Sequence, residues 1–129
     1  MNDKAINSLS MKFLEVQAEL NYWEIVNFPL LKNTSSRQLY YSIIKEYIDS
    51  TSSTVLKELY FGDGVGVTDR ALRLKLREFE GQGLIVCEPR EFDRRSRQLR
   101  VTNDLMDKIN LHATACQRIF SERFYFIEQ

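Results

Sequence analysis

Apolar side chains recur along the first part of the chain with a helical period. Ile6, Leu9, Phe13, Val16, Leu20 and Trp23 are spaced 3, 4, 3, 4, 3, an a/d stripe that lies on one face of an α-helix. The pattern predicts a helix from Asp3 to Asn27, closed by Pro29, because proline drives the residue before it out of the helical region. A stripe this regular requires a partner helix, in the same chain or in a second one.

"LKNTSS" follows as a loop rich in N-cap residues. A second helix is predicted from about Ser36 to Ser50, with Leu39, Ile43, Ile44, Tyr47 and Ile48 on its apolar side. A short third helix is predicted from about Ser53 to Phe61, carrying Val55, Leu56 and Leu59. "GDGVG" interrupts with three glycines in five residues. Thr68 is a good N-cap for a fourth helix, and Asp69 complements its dipole. This helix runs to about Gly81, where Gly81 and Gly83 stop it. Leu72, Leu76 and Phe79 share one of its faces. Arg70, Arg73 and Arg77 share another, with Leu74 beside them.

"LIVCEP" and "RQLRV" read as two antiparallel strands, with Ile85, Cys87, Leu99 and Val101 facing inward. A last helix runs from Thr102, as N-cap, toward Ile127. Leu105, Ile109, His112, Cys116, Ile119 and Phe120 mark its apolar side. The fold class is therefore mainly α with a small β-hairpin. Its order is helix, helix, helix, turn, helix, hairpin, helix.

Composition narrows the chemistry. The 129 residues are 43% hydrophobic and 28% charged, ordinary for one globular domain with its own core. No apolar run is long enough to span a bilayer, and the first residues lack the basic-then-apolar pattern of a signal peptide, so the expectation is a cytoplasmic protein. Two cysteines, Cys87 and Cys116, and a single histidine, His112, cannot make a four-ligand zinc site without carboxylates from elsewhere. No Ser/His/Asp set is present. "GDGVG" lacks the Lys-Ser/Thr of a phosphate-binding loop and does not follow a strand. The expectation is a non-enzyme with no cofactor and no metal.

Charge is balanced overall, 18 basic against 18 acidic residues, but unevenly spread. Between Thr68 and Val101 there are nine basic and six acidic residues. Arg94, Arg95, Arg97 and Arg100 fall within seven positions. A local basic patch on a neutral chain fits nucleic-acid binding. It also fits a solvated surface of mixed charge.

A helix presenting arginines, followed at once by a ribbon with a basic tip, is the winged helix-turn-helix plan. Such a helix enters the major groove, and a ribbon tip can reach a narrow minor groove. The stretch "VTDRALRLKLREFEGQGLIVCEPREFDRRSRQLRVT", Val67 to Thr102, resembles the core of the MarR family of transcriptional regulators. The features that carry the resemblance are the small capping residue Thr68, the helix close Phe79-Glu80-Gly81-Gln82-Gly83-Leu84-Ile85, and the wing Asp93-Arg94-Arg95 ending in Val101-Thr102. The match covers 36 residues, and the helix order extends it loosely over the chain. Against the family pattern, "GDGVGV" is long and glycine-rich for a helix-turn-helix turn, and the glycine often found after the Leu-Thr is absent. Leu74 stands where a polar DNA-contacting residue is common. It either touches a thymine methyl or packs inward.

The resemblance implies a dimeric regulator that binds a pseudo-palindromic double-stranded operator. Thr68, Arg70, Arg73, Leu74 and Arg77 become the candidates for the major groove. Arg95, oriented by Asp93, would enter a minor groove, with Arg94 and Arg97 on phosphates. It also implies a division of labour within one compact domain. Residues 1–33 would be an N-terminal dimerisation helix and loop, 34–101 the DNA-binding core, and 102–129 a C-terminal dimerisation helix. Ile6, Leu9, Phe13, Val16, Leu20, Ile119, Phe120 and Phe124 are the dimerisation candidates. The same residues would serve to pack the two helices on each other within one chain. Trp23, Phe28, Tyr40, Tyr41 and Tyr47 gather where family members often bind small aromatic effectors, although aromatics at helical spacing are also plain core. The rival reading is a winged-helix protein-interaction module that binds no DNA, which the near-neutral pI of 6.6 favours slightly.

Overall fold

The computed structural model describes the backbone of residues 3–49, 53–55, 69–89 and 97–124, and the side chains of 7–46, 70–88 and 98–124. The described elements are α1 (Asp3–Asn27), a 3-10 turn (Pro29–Lys32), α2 (Thr34–Asp49), β1 (Ser53–Val55), α3 (Asp69–Gly81), β2 (Ile85–Pro89), β3 (Arg97–Val101) and α4 (Asn103–Ser121). This is a mainly helical winged-helix fold with a small antiparallel sheet.

α1 ends where the proline predicts. Phe28 leaves the helix at φ −146° and ψ 67°. The stretch after it is more ordered than a loop, because Leu30 and Leu31 are buried and hold the 3-10 turn in place. Asn33 then caps α2, its Oδ1 accepting from the Ser36 backbone nitrogen at 3.1 Å. The cap starts α2 at Thr34, two residues before the sequence expectation.

The predicted third helix is corrected at its start. Ser53–Val55 is a strand, and it pairs antiparallel with β3 through Ser53↔Arg100, Thr54↔Leu99 and Val55↔Gln98. The sheet order is therefore β1-β3-β2. Thr54 and Val55 are β-branched, which suits a pleated surface, and the open edge of β3 supplies their hydrogen bonds. The remainder of that predicted helix, the "GDGVG" turn and the Thr68 cap lie outside the described residues.

The hairpin turns the expected side chains inward. Ile85 opposes Val101 and Cys87 opposes Leu99, so these four side chains share the inner face. Ile85 and Leu99 are buried, and Cys87 and Val101 pack partly buried against the same core. That core joins Phe28, Leu31, Leu39, Tyr40 and Ile43 to Leu72, Leu76 and Phe79 of α3 and to Leu105 of α4. The last helix is shorter than expected. It stops at Ser121, with Glu122 as C-cap, and the chain turns there. Phe124 then comes back onto α1 and meets the Phe13 ring, centroids 4.7 Å apart.

Candidate nucleic-acid interface and the network behind it

α3 is anchored by one face and open on the other. Leu72, Leu76 and Phe79 are buried. Arg70, Arg73 and Arg77 are exposed, and among the described residues none of them is paired with a carboxylate. Leu74 is 54% exposed, which settles its orientation: it points out with the arginines. Lys75 is engaged one turn along the helix, with Glu78 at 3.1 Å.

The end of α3 is set by backbone geometry. Leu84 N donates to Phe79 O at 3.0 Å, and Gly83 N donates to Glu80 O at 3.0 Å. These two bonds form a Schellman close. Gly83 supplies its left-handed residue at φ +74°, a conformation that costs a residue with a Cβ about 1–2 kcal/mol. Gly81 remains helical, so of the two glycines it is Gly83 that stops the helix. Thr102 binds the same corner. Its backbone nitrogen donates to Leu84 O, its hydroxyl lies 2.7 Å from Gly83 O and 2.8 Å from Leu84 O, and its Oγ1 accepts from Leu105 N as the cap of α4. Thr102 is the N-cap expected from the sequence.

Two carboxylates on the wing side went unread in the sequence. Glu80 Oε2 accepts from the Cys87 backbone nitrogen at 2.9 Å, tying the last turn of α3 to β2. Glu88 accepts from Gln98 Nε2 at 3.2 Å and pairs with Arg100 at 3.6 Å. Arg100, one of the four clustered arginines, thus faces a partner across the ribbon. Thr68, Asp93, Arg94 and Arg95 lie outside the described residues. Arg97 begins β3, and its side chain is likewise outside them.

Behind this surface sits a buried polar network joining three helices. Glu24 of α1 is 4% exposed and His112 of α4 is 6% exposed. Glu24 Oε2 lies 2.7 Å from His112 Nε2. His112 Nδ1 lies 2.9 Å from the hydroxyl of Tyr40 on α2. Arg37 of α2 forms a bidentate pair with the same carboxylate, and its Nη1 also donates to Tyr41 Oη at 2.9 Å. Trp23 stacks on the imidazole, centroids 5.7 Å apart and planes 9° from parallel. Burial pushes the Glu24 carboxyl upward, but the hydrogen bonds from Arg37 and His112 and their charges outweigh it, leaving the group below its ordinary value. The bond to Glu24 raises Arg37 further. Burial raises both the Tyr40 phenol and the Cys116 thiol.

The sequence held a partial signal for this network. Glu24 falls on the row Val16, Leu20, Glu24, Phe28, and His112 on the apolar row of α4. A charge on an apolar row must find a partner to be buried. Nothing local says that the partner is 88 positions away.

The dimerisation candidates divide. Val16 and Ile119 are fully buried within the chain, packing α1 on α4. Leu20, Phe120 and Phe124 are half-buried. Leu9 and Phe13 remain exposed, and the side chain of Ile6 is outside the described residues. Arg123 closes the end of this helix pair on Glu15 at 3.1 Å and Glu19 at 2.9 Å. Of the aromatic cluster, Phe28 and Tyr40 are buried core in an edge-to-face pair, whereas Tyr41 is exposed. The side chain of Tyr47 is outside the described residues. Beside Tyr41, an open groove of about 730 Å³ runs between α1 and α2, lined by Leu14, Asn21, Glu24 and Arg37 among others. Among the described residues, no helix is long and apolar enough to cross a membrane.

Helix order, wing and arginine-bearing helix together define a MarR-like winged-helix fold. Comparison with solved structures agrees. The YusO protein from Bacillus subtilis is 18% identical over 98% of this chain and 82% of that one, with a TM-score of 0.67. AbsC, a MarR family transcriptional regulator from Streptomyces coelicolor, is 15% identical over 97% and 84%, with a TM-score of 0.56. BpsR from Bordetella bronchiseptica, whose DNA binding is regulated by 6-hydroxynicotinic acid, is 12% identical over 95% and 80%, with a TM-score of 0.54. At these identities the likeness is one of fold. No family model matches the sequence, and no curated protein matches it.

Proposed function

We propose that the chain is a sequence-specific, double-stranded DNA-binding transcriptional regulator that works as a cytoplasmic homodimer. The observation that carries this reading is the outer face of α3. Arg70, Arg73 and Arg77 stand exposed beside an outward Leu74, on a helix whose opposite face is locked into the core. Guanidinium groups without a carboxylate partner among the described residues, on a helix anchored in the core, suit bidentate contact with guanine edges and phosphates. An exposed leucine among them suits a thymine methyl. Thr68 would sit at the start of this helix, against the phosphates of the same groove.

The wing completes the interface. Arg95 is assigned to the minor groove, oriented by Asp93, with Arg94 and Arg97 on phosphates. Arg100 stands apart from that set, paired with Glu88 across the ribbon. The structural neighbours are transcriptional regulators, which supports a binding rather than a catalytic role.

The arms of the dimer are assigned to residues 1–33 and 102–129, around the reading core at 34–101. Support comes from the surface of α1. Leu9 and Phe13 are exposed, and on the opposite side of the helix Met11, Leu14, Tyr22, Ile25 and Val26 are between 44% and 70% exposed. The exposed apolar side chains on that second side mark an interaction site. Ile6, Leu9, Phe13 and Leu20 keep their candidacy on the heptad stripe, and Phe120 and Phe124 at the C-terminal end, while Val16 and Ile119 would support the arm from within. The groove beside Tyr41 is the place for a small aromatic effector.

The test has two readouts on the full chain. Selection from a random duplex pool should return a pseudo-palindromic site, bound in a salt-dependent manner. Sedimentation at micromolar concentration should give a dimer. Absence of retention on any duplex DNA at low salt would overturn the reading and leave the protein-interaction module in its place. A full-length monomer would remove the dimer and with it the two-half-site geometry.

A further inference from the structure

We propose that His112 is a proton-operated latch between the helices α1 and α4 and the first helix of the winged core, α2. The chain contains one histidine. It is buried where all three helices meet through polar atoms. Its link to DNA affinity rests on the function proposed above; the latch itself rests on the geometry.

The geometry fixes which atom can change. A carboxylate accepts hydrogen bonds and donates none. With Glu24 Oε2 at 2.7 Å, Nε2 therefore carries a hydrogen whether the ring is neutral or charged. Nδ1 is left as the variable atom. In the neutral ring it accepts from the Tyr40 hydroxyl at 2.9 Å. In the protonated ring it donates to that oxygen, and the phenolic hydrogen must turn elsewhere. Among the described residues, Tyr40 Oη has no other hydrogen-bond partner, and Tyr40 is 1% exposed. A buried hydroxyl left without an acceptor is costly. The same proton strengthens the bond to Glu24. Protonation thus tightens α4 onto α1 and loosens α4 from α2.

The neighbours do not compete for the proton. The titratable and charged groups around the ring are Glu24 on α1, Arg37, Tyr40 and Tyr41 on α2, and Lys108 and Cys116 on α4 itself. Glu24 lies below its ordinary value, so it stays a carboxylate in the neutral range. Arg37, Tyr40 and Cys116 lie above theirs, so they keep their protons. An imidazole is the side chain that ordinarily changes charge between about pH 5 and 8.

The protein carries its own reporter. Its single tryptophan is stacked on this imidazole, and an imidazolium quenches a stacked indole more strongly than a neutral ring. Emission from the full chain is to be followed from about pH 8 to about pH 5.5, across the histidine range, beside His112→Gln and Tyr40→Phe. Glutamine can donate to Glu24 and accept from Tyr40 but takes up no proton. Emission of the parent and of Tyr40→Phe should fall with pH, and that of His112→Gln should stay flat. Amide exchange along residues 37–43, corrected for intrinsic rates, should speed up at low pH in the parent alone. DNA affinity of the parent should fall about five- to tenfold relative to His112→Gln over the same range.

Flat emission from the parent overturns the latch. So does an exchange response that Tyr40→Phe shares with the parent, a comparison that stands even if His112→Gln fails to fold. Equal affinity at both ends of the range, with DNA bound, overturns its regulatory role. A chain that binds no DNA at any pH defeats the function reading instead, and emission and exchange still decide the latch.

Discussion

Glu80, on the last turn of α3, accepts a hydrogen bond from the backbone nitrogen of Cys87 on β2, at 2.9 Å. α3 and the β2–β3 ribbon are thereby braced by a side chain as well as by the turn between them. On the function proposed above, the two elements hold a fixed angle to reach neighbouring grooves together, and this contact lies at their hinge.

Removing that brace should therefore cost more than local stability. Glu80→Ala is expected to lower unfolding stability by about 0.5–1.5 kcal/mol, the net worth of one such hydrogen bond. It should weaken operator binding while leaving binding to short duplexes that span only the α3 half of the site unchanged. Denaturant unfolding and binding to the two duplex lengths measure the two effects. An equal loss on both lengths would remove the hinge role.

Arg73 lies at the middle of the exposed face of α3. Arg73→Ala should cost about 1–3 kcal/mol on a preferred site and relax the sequence preference there. Competition between preferred and random duplexes measures it. Equal losses on both would reduce Arg73 to a phosphate contact.

On the function proposed above, the wing arginine Arg95 acts through groove shape. Arg95→Ala should lose most affinity on sites with A·T-rich flanks, where the minor groove is narrow and strongly negative. It should also lower the salt slope by about one ion per wing. Arg95→Lys should recover only part, because an ammonium cannot form the two-point contact with Asp93. Asp93→Ala should act in the same direction, less strongly. Salt titrations on A·T- and G·C-flanked operators separate these outcomes. Identical behaviour of all three variants and the parent would take the wing off the DNA.

Acid should act through Glu24. Its folded-state carboxyl lies below the ordinary value of 4.5, so its contribution to stability is fully present above that pH. The contribution is lost as pH falls through the lower folded value. Glu24→Gln should be less stable than the parent at neutral pH, and the gap should narrow below about pH 4.5. Urea midpoints at pH 7 and pH 3.5 measure it. A gap independent of pH would assign the effect to packing.

Much of the architecture was legible because it is written in local periods. The 3.6-residue beat of Leu72, Leu76 and Phe79 predicts both the helix and its buried face, and the arginines at Arg70, Arg73 and Arg77 follow as the opposite face. Alternation in "LIVC" and "LRV" predicts that Ile85, Cys87, Leu99 and Val101 face inward, and the fold supplies the register that pairs Ile85 with Val101 and Cys87 with Leu99. Thr102 is legible as a cap because its hydroxyl serves an amide three residues ahead.

Tertiary structure decided what depends on distant partners. Ser53–Val55 has no strong period of its own, and it is a strand because the open edge of β3 offers it hydrogen bonds. Leu74 has an apolar side chain that would suit either side of α3, and the packing of Leu72, Leu76 and Phe79 turns it outward. The network of Glu24, His112, Tyr40 and Arg37 needs three helices brought together across 88 positions. A sequence shows that a carboxylate and an imidazole lie on apolar rows, and only the folded chain brings them within a hydrogen bond of each other, because burial of each is tolerated only with its partners in the network.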